Sequence, residues 1–352
     1  MTDVSIVLPV QNAAPAIGSL YDSLAAALGD VSWELVVVDD DSPDGTADAV
    51  RALALTHGNV RCLQRVQDRG RASAIHWGVQ ASHGEVIVVM DGDARRQPGF
   101  VPKMLAALKQ GNDIASAARP GVVSGLANAL VNFRLGSRLA DPLTGFFATS
   151  RSLFVRSIAR MQADGFNVFF DLVYYNRQAR VRELALPDGP LGRTGLKPQL
   201  YVLWALLCDM ISKLSGGLAP PRLVSFVGVG VIGSSVHFSV LYASLGLGAV
   251  FWMSQALATV TAMIFNFTVN NVLTYSSDRL RSATYYKGLL LYTIIASFGV
   301  VANVSTAQIT YDHFKAHTFV AASMGILIDV VWRFVVSNRL IWGRSSVFRK
   351  VP

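Results

Sequence analysis

Charged residues are scarce in this chain of 352 residues: they make up 15% of it, whereas hydrophobic residues make up 52%. An ordinary soluble domain carries more charge than this, and a bare bundle of membrane helices carries less. The composition therefore indicates that the chain contains two regions, one soluble and one embedded in a membrane.

Cysteine is also nearly absent, since Cys62 and Cys208 are the only two in the sequence. Two cysteines in different regions give no disulfide framework, and a reducing cytoplasmic setting fits. The first residues lack the basic segment and cleavage site of a secretory signal, so we expect the later apolar segments to direct membrane insertion.

The net charge of +8 could suggest a nucleic-acid-binding protein. The basic residues, however, are spread along the chain, and many lie beside apolar segments, as expected for contact with anionic lipid headgroups. We therefore predict a membrane partner and no nucleic acid.

Short apolar runs alternate with helix-like stretches in the N-terminal part. Val4-Ser-Ile-Val-Leu-Pro9 and Glu34-Leu-Val-Val-Val-Asp39 have the continuous apolar character of strands buried on both faces. The pattern predicts strands at residues 4–9, 34–39, 60–63, 85–90 and 113–117, and helices at residues 16–28, 46–55, 72–81 and 100–109. Such alternation predicts an α/β doubly wound domain, in which ligands bind outside the carboxyl ends of the strands.

Two acidic clusters fall at predicted strand ends: Asp39-Asp40-Asp41 and Asp91-Gly-Asp93. Neighbouring carboxylates repel each other unless a cation or a basic group neutralises them. Hard oxygen ligands suit Mg²⁺ or Mn²⁺, which also take up phosphate oxygens. We therefore predict that Asp91 and Asp93 hold a divalent cation and, through it, a diphosphate. For Asp44 and Thr46, which precede a predicted helix, we favour helix capping.

The motifs that carry a family resemblance are Pro9, Glu34-Leu-Val-Val-Val-Asp-Asp-Asp-Ser-Pro-Asp-Gly-Thr46, Val88-Val-Met-Asp-Gly-Asp93 and Asp141-Pro-Leu-Thr-Gly-Phe-Phe147. Together they resemble the inverting family 2 glycosyltransferases of the polyprenyl-phosphate type, such as dolichyl-phosphate mannose synthases and bacterial polyprenyl-phosphate glucosyltransferases. The resemblance covers about residues 3–215. It implies a nucleotide-sugar-binding (GT-A) domain that moves one hexose-type sugar from a donor of the GDP-mannose or UDP-glucose class to dolichyl or undecaprenyl phosphate.

The resemblance also implies roles for individual residues. The nucleotide pocket is expected to involve Pro9, Val38, Asp40, Gly92 and Arg95. Asp91 and Asp93 are expected to hold the metal and to act in catalysis together with Arg119 and Asp141. The acceptor lipid phosphate is expected to contact Arg119, Ser124, Arg193 and Lys197. For Asp141, orienting the acceptor and capping the turn before Gly145 both remain open.

Several positions depart from the family pattern. The family usually has Pro-x-Tyr-Asn-Glu in the first loop, whereas this chain has Pro9-Val-Gln-Asn-Ala13, and Ala94-Arg95 replaces the usual Leu-Gln after the second aspartate. We interpret these changes as altered donor handling in a working enzyme, with a degenerate transferase as the alternative. The reaction does not require a strong general base, because a lipid monophosphate is already anionic and can attack the sugar directly. Catalysis can then rest on positioning and charge stabilisation.

Four long apolar segments follow the linker Gly216-Gly-Leu-Ala-Pro-Pro221. They lie at residues 223–245, 249–275, 288–310 and 318–342, and each is long enough for the roughly 20 residues that cross a bilayer. Before them, residues 198–214 predict an interfacial helix, with a core helix as the alternative. The predicted organisation is a catalytic domain at 1–197, an interfacial helix and linker at 198–221, a four-helix membrane domain at 222–343 and a basic tail at 344–352.

The flanks of these segments differ in charge. The second and third segments are joined by a loop with Arg279, Arg281 and Lys287, and the fourth is followed by Arg344, Arg349 and Lys350, whereas the other two loops contain only Lys315. Basic residues favour the cytoplasmic side. We therefore expect a four-span protein of the plasma (inner) membrane with the catalytic domain and both termini in the cytoplasm.

The apolar part contains an internal repeat, because Phe265-Asn-Phe-Thr-Val-Asn-Asn-Val-Leu-Thr-Tyr275 and Trp332-Arg-Phe-Val-Val-Ser-Asn-Arg-Leu-Ile-Trp342 are similar at an offset of 67 residues. This implies two parallel two-helix hairpins and resembles the GtrA-like membrane family. Asp329 and Arg333, spaced i, i+4, are expected to pair, either structurally or in transport. Asn266, Asn270, Asn271 and Asn338 are expected to bond between helices.

Three functions remain open at the level of sequence. The favoured one is transfer of one sugar to polyprenyl phosphate. The others are a membrane protein that translocates the glycolipid and a non-catalytic scaffold; a processive polysaccharide synthase is a weaker fourth. The residues do not separate GDP from UDP donors, and a four-helix membrane domain is also able to form a homo-oligomer.

Overall fold

The computed structural model describes residues 2–66, 70–90, 97–119, 125–161, 167–186, 196–312 and 318–343. The chain divides into two compact units, Met1–Leu206 and Leu207–Pro352. This division falls inside the predicted interfacial segment at 198–221.

The described part of the first unit contains a seven-stranded sheet in the order β3-β2-β1-β4-β6-β5-β7. The strands are β1 (Val4–Val10), β2 (Trp33–Asp39), β3 (Val60–Gln64), β4 (Val86–Met90), β5 (Ile114–Ala118), β6 (Phe146–Ser150) and β7 (Val181–Ala185). All five predicted strands are present within one residue of their expected bounds. The sheet is mixed, because β6 runs antiparallel to β4 and β5 while the other pairs are parallel.

Helices cover both faces of this sheet, as expected for a doubly wound domain. The helices of this unit are α1 (Ile17–Leu28), α2 (Thr46–Thr56), α3 (Arg71–Ala81), α4 (Val101–Lys109), α5 (Gly125–Leu135), α6 (Arg151–Ile158) and α7 (Val168–Tyr175), and α8 (Leu196–Leu214) continues into the second unit. Apolar side chains of α1 and α4 join the core on one face. On the other face Phe147 of β6 packs against Phe154 of α6 and Phe169 of α7.

A buried carboxylate ties strands together at the edge where β1 and β2 begin. The Glu34 carboxylate accepts hydrogen bonds from Ser5 Oγ (2.6 Å), from the His83 N–H and from Arg61. Burial by itself would raise the pKa of Glu34, but these hydrogen bonds and the Arg61 charge lower it from 4.5 to about 2. Glu34 is therefore ionised in the folded protein at neutral pH and stabilises it.

We predict that Glu34→Gln lowers the free energy of unfolding by about 3 kcal/mol at pH 7, the value of a pKa shift of this size. Because the folded pKa is depressed, the contribution is present above pH 4.5 and is lost as the pH falls towards 2. Thermal unfolding of the full chain in detergent at pH 7 and pH 3 tests this, with exposed Glu85→Gln as control. An equal loss of stability at both pH values would contradict an electrostatic role.

The second unit is helical. It contains α9 (Pro221–Gly246), α10 (Phe251–Val272), α11 (Ser282–Asp312) and α12 (Thr318–Ser337), and a π-helical turn at Asn338–Trp342 continues α12. Helix α10 ends three residues before the predicted span, and α11 begins six residues earlier than predicted. Two described segments, Pro221–Gly246 and Ser282–Thr310, are long and apolar enough to cross a membrane, each with a mean hydropathy of 1.8.

The helix pairs α9–α10 and α11–α12 share one packing feature. In each pair, a glycine on the first helix leaves room for a polar side chain on the second. A Cβ atom on Gly233 of α9 would overlap the Asn266 side chain of α10, and one on Gly299 of α11 would overlap the Asp329 carboxylate of α12. Asp329 is paired with Arg333 as predicted (Nε–Oδ1, 2.6 Å). Each helix pair thus contains one close contact between a glycine and a polar side chain.

We predict that Gly233→Ala destabilises the α9–α10 pair, because Asn266 would have to leave its position in a closely packed interface. The matched control is Gly230→Ala on the same helix, where an added Cβ meets nothing within 4 Å. Relative to Gly230→Ala, which has the same gain in helix propensity, Gly233→Ala is expected to lose about 1–3 kcal/mol. The midpoint of thermal unfolding of the full chain in detergent measures the difference. Equal midpoints for the two variants would contradict this packing.

The ends of the two repeats meet at an aromatic stack. The Tyr275 and Trp342 rings are 4.2 Å apart and nearly parallel, at 4°. Trp342 Nε1 donates to Asn271 Oδ1 (3.0 Å), which also accepts from the Leu280 N–H (2.8 Å). The prediction of bonds between helices therefore holds for Asn271. It is wrong for Asn270, whose Nδ2 donates to Asn266 O and whose Oδ1 accepts from the Thr274 hydroxyl, both within the same segment.

Candidate active site

One edge of the sheet collects the chain segments that carry the predicted site. The parallel strands β1, β2, β4 and β5 end there, and antiparallel β6 begins there, with Phe146 opposite Met90. The site residues that lie outside the described residues are Asp91, Gly92, Asp93, Arg95, Ser124 and Arg193. Lys197 lies in the first turn of α8. The described residues therefore define the surroundings of the predicted metal site.

The loop after β1 is fastened to the loop after β2. Three consecutive main-chain N–H groups donate to three side-chain oxygens: Asn12 to Ser42 Oγ (2.9 Å), Ala13 to Thr46 Oγ1 (2.8 Å) and Ala14 to Asp44 Oδ2 (3.1 Å). The loop is held by its backbone, so the replacement of the family's glutamate by Ala13 leaves these bonds intact. The departure from the family pattern changes the side chain offered to a ligand while the loop stays fastened.

The prediction that Asp44 caps α2 is only partly confirmed. The residue at the N-cap of α2 is Gly45, in the left-handed region at φ 81°, and it has no side chain to cap the helix. Asp44 Oδ1 accepts from the Thr46 N–H (3.1 Å), while Oδ2 reaches across to Ala14. Asp44 and Thr46 therefore join two loops, and the pKa of Asp44 is lowered mainly by its hydrogen bond with Thr46.

Asp40 lies in a buried ion pair that the sequence did not predict. Asp40 Oδ1 accepts from Arg65 Nε (2.8 Å), and Oδ2 accepts from the Gly70 N–H (2.9 Å). Arg65 also donates to Ser73 Oγ (3.0 Å) and to Gly70 O (3.1 Å), and only 6% of it is exposed. Asp40 thus positions the segment that leads into α3, and its predicted contact with a nucleotide stays a prediction.

Pro9 and Val38 are paired across β1 and β2 and are both buried. A Cβ atom on Gly78 of α3 would lie 3.0 Å from Val38 Cγ2, so the Val38 side chain packs against this helix. The predicted contact of Val38 with a nucleotide would therefore have to come from its main chain.

Arg119 and Asp141 meet at the end of β5. The Arg119 N–H donates to Asp141 Oδ2 (3.1 Å), and the Thr144 hydroxyl, in the same turn as Asp141, donates to Ala117 O (2.7 Å). Burial raises the pKa of Asp141, the nearby Glu183 charge raises it further, and the N–H bonds and the Arg119 charge oppose the change. The structure thus brings two predicted catalytic residues together.

Glu183 is a residue of this site that sequence reasoning missed. Its two carboxylate oxygens accept the N–H groups of Ala140 (2.7 Å) and Asp141 (3.0 Å) and so hold the turn that begins at Asp141. Glu183 lies on β7, which is paired in parallel with β5. Val181-Arg-Glu-Leu-Ala185 does not alternate regularly between apolar and polar residues, and this short strand was not predicted.

A small cavity lies beside the same turn. Its lining includes Arg71 at the start of α3, Thr144 and Gly145 before β6, and Asn167 at the N-cap of α7. Asn167 Nδ2 donates to Leu143 O (2.8 Å), which fixes α7 to the turn.

The predicted ligands of a divalent cation at this edge are carboxylates, Asp91 and Asp93. The carboxylates of Asp39, Asp40 and Asp44 already accept hydrogen bonds from hydroxyl, guanidinium or N–H donors. Asp91 and Asp93, which follow β4 and lie outside the described residues, remain the predicted hard-oxygen ligands for Mg²⁺ or Mn²⁺. Among the described residues, no group of three or more His, Cys, Asp or Glu side chains is arranged to hold a metal ion.

Comparison with known families assigns the two units separately. The family model described as Glycosyl transferase family 2 matches residues 5–161. The model described as GtrA/DPMS, transmembrane domain, matches residues 225–342.

Curated relatives extend over most of the chain. A dolichol-phosphate mannosyltransferase of Pyrococcus furiosus is 26% identical over 96% of this chain and 99% of its own length. An undecaprenyl-phosphate 4-deoxy-4-formamido-L-arabinose transferase of Aeromonas hydrophila is 25% identical over 75% of this chain and 83% of its own length. Among solved structures, mannosyl-3-phosphoglycerate synthase from Rubrobacter xylanophilus superposes with a TM-score of 0.46 at 20% identity, covering 61% of this chain and 74% of that one.

Proposed function

We propose that this chain, which belongs to the family 2 glycosyltransferases of the polyprenyl-phosphate type and carries a GtrA/DPMS transmembrane domain, moves one hexose-type sugar from a nucleotide sugar to a polyprenyl phosphate with inversion. The observation that carries the proposal is the combination of both domains in one chain. A relative named as a dolichol-phosphate mannosyltransferase aligns with this chain over 99% of its own length.

The reaction is a displacement at the anomeric carbon. An oxygen of the acceptor phosphate forms the new bond to that carbon, and the bond to the donor's β-phosphate oxygen breaks, so that the nucleoside diphosphate leaves with the electron pair. Attack from the opposite face inverts the centre. No proton has to be removed from the acceptor, because a phosphate monoester is anionic at neutral pH.

The chain must then bring two anions together. Arg119, Arg193 and Lys197 are the residues that we expect to hold the acceptor phosphate; guanidinium groups bind phosphate oxygens in pairs, and an ammonium acts as a point charge. Asp141 accepts the Arg119 N–H and is itself held by Glu183. These two carboxylates therefore position the end of β5 at which Arg119 lies.

Asp91 and Asp93 would hold Mg²⁺ or Mn²⁺, which supplies positive charge to the departing diphosphate. The expected nucleotide contacts are Pro9, Val38, Asp40, Gly92 and Arg95. Their support is the family pattern and, for Pro9, Val38 and Asp40, a place at or near the strand ends where ligands of such sheets bind.

The cellular placement is part of the proposal. We infer four membrane spans, with the catalytic domain and both termini in the cytoplasm, because the basic residues are concentrated in the loop after α10 and in the C-terminal tail. The match to a transmembrane domain over residues 225–342 supports the membrane location. The proposed domains are 1–197, 198–221, 222–343 and 344–352.

The test is transfer of labelled sugar by the purified full chain in detergent, across GDP-, UDP- and dTDP-sugars, with polyprenyl phosphate as acceptor and the unphosphorylated polyprenol as control. A lipid product from one class of donor, formed only on the phosphate, is expected. Analysis of the anomeric configuration of the product tests inversion. If a folded protein binds no nucleotide and gives no product with any donor, the proposal fails.

A further inference from the structure

Helix α5 presents apolar side chains to solvent where a surface helix usually presents polar ones. Val131 and Leu135 are buried on its inner side, whereas Leu130 is 40% exposed and Phe133 is 86% exposed. Leu130 and Phe133 are three residues apart and therefore lie on one face of the helix. An exposed phenylalanine beside an exposed leucine is the kind of patch that marks a contact surface.

The polar side chains of α5 point the other way and fix its rotation. Asn132 Nδ2 donates to Leu139 O (2.8 Å), Asn132 Oδ1 accepts the Leu139 N–H (2.9 Å), and Asn128 Nδ2 donates to Ala140 O (3.3 Å). Both asparagines thus fasten the helix to the segment that runs into Asp141. Turning the helix to bury Phe133 would break these bonds, so the apolar face is held outwards.

Three arginines, which we call the arginine rim, lie on or beside α5: Arg134 in the helix, Arg138 three residues after it, and Arg177, which donates to Arg134 O (3.4 Å). Arg134 donates to the Tyr174 hydroxyl (2.7 Å), and the guanidinium groups of Arg134 and Arg177 lie 5.0 and 5.2 Å from the Tyr174 ring centroid. Arg138 and Arg177 are exposed. Residues 125–140 contain no Asp or Glu, and the next acidic residue along the chain, Asp141, is 7% exposed.

We propose that α5 and this arginine rim form a surface that lies on an anionic lipid bilayer, with Leu130 and Phe133 entering the interface and Arg138 and Arg177 at the headgroups. An exposed apolar face flanked by basic side chains is the pattern of interfacial helices. The match to a transmembrane domain over residues 225–342 supports the presence of a bilayer as the partner. A symmetric contact between two copies of α5 would instead bring arginine rims together without an acidic partner.

The consequence for the active site follows from the bonds of Asn128 and Asn132. They tie α5 to the segment that precedes Asp141, so a helix resting on the bilayer would hold this turn near the headgroup level, where the phosphate of a polyprenyl lipid lies. Only this consequence rests on the proposed function. The membrane contact itself does not require that the protein transfers sugar.

The experiment places a fluorescent probe on the helix. Phe133→Cys is introduced into the full chain after Cys62→Ser and Cys208→Ala, labelled with an environment-sensitive dye and reconstituted at one copy per nanodisc in equal parts of phosphatidylcholine and phosphatidylglycerol. Some acyl chains carry a nitroxide quencher just below the headgroup. The matched control is Leu55→Cys on α2, another exposed apolar position, with 90% exposure.

We expect blue-shifted emission and strong quenching at position 133, and water-like emission with background quenching at position 55. The double change Arg138→Glu with Arg177→Glu is expected to reduce the quenching at position 133. Emission and quenching at position 133 that match those at position 55 would overturn the proposal. A blue shift without lipid quenching would also overturn it, because it would mean that protein covers the helix.

Discussion

Asp93→Ala is expected to lower the rate of sugar transfer about a thousandfold, which corresponds to about 4 kcal/mol of transition-state stabilisation. Asp93 follows β4, which ends at Met90 at the edge of the sheet where the other site segments meet. Without it, the charge of the departing nucleoside diphosphate would lose its expected counterion. Initial rates of labelled sugar incorporation into lipid, at saturating donor and Mg²⁺, measure the effect.

The matched control is Asp48→Ala, because Asp48 is an exposed acidic residue of α2 that pairs only with Arg51 among the described contacts. It should leave the rate unchanged. Binding of Mn²⁺ in the presence of the nucleoside diphosphate, followed by electron paramagnetic resonance, gives a second readout that does not depend on turnover. A normal rate and normal Mn²⁺ binding in Asp93→Ala would remove this residue from the site.

The N-terminal half of the sheet could be predicted from sequence because its strands are buried on both faces. Val36, Val37 and Val38 are all fully buried in β2, and such continuous apolar runs have no helical period. The glycine and aspartate residues after these runs mark the turns. Helices α1 to α4 were predicted from the alternation of these apolar runs with helix-like stretches.

The second half of the sheet was harder for two physical reasons. Strand β6 begins directly after the turn at Asp141–Gly145 and runs against its neighbours, and no local property of five residues reveals strand direction. Strand β7 lies at the edge of the sheet and is only partly buried, so its apolar signal is weak. Glu183 was missed with it.

Side-chain roles at the site depended on contacts far apart in sequence. The acidic run at residues 39–41 was visible, but its partner Arg65 lies 25 residues away from Asp40 and follows a different strand. The bonds of Asn12, Ala13 and Ala14 come from main-chain groups, which sequence patterns do not distinguish. In the membrane unit, by contrast, the i, i+4 spacing was enough to predict the pair Asp329–Arg333.

Arg65→Ala is expected to reduce the free energy of unfolding by about 3–5 kcal/mol, the usual effect of removing one partner from a buried ion pair. The Asp40 carboxylate would keep the Gly70 N–H but lose its charged partner in a buried place. Ser73 Oγ and Gly70 O would each lose a donor as well. The measurement is thermal unfolding of the full chain in detergent.

A double-mutant cycle separates the lost ion pair from the lost packing. Adding Asp40→Asn to Arg65→Ala should recover part of the stability, because a neutral amide is easier to bury than an unpaired carboxylate. Arg65→Lys should recover little of the lost stability, since an ammonium group cannot reproduce the hydrogen bonds that the planar guanidinium donates to Asp40, Ser73 and Gly70. Arg51→Ala, which breaks the exposed pair with Asp48, is the control and should change stability by less than about 1 kcal/mol. If Arg65→Ala were as mild as Arg51→Ala, the ion pair between Arg65 and Asp40 would not be an important source of stability.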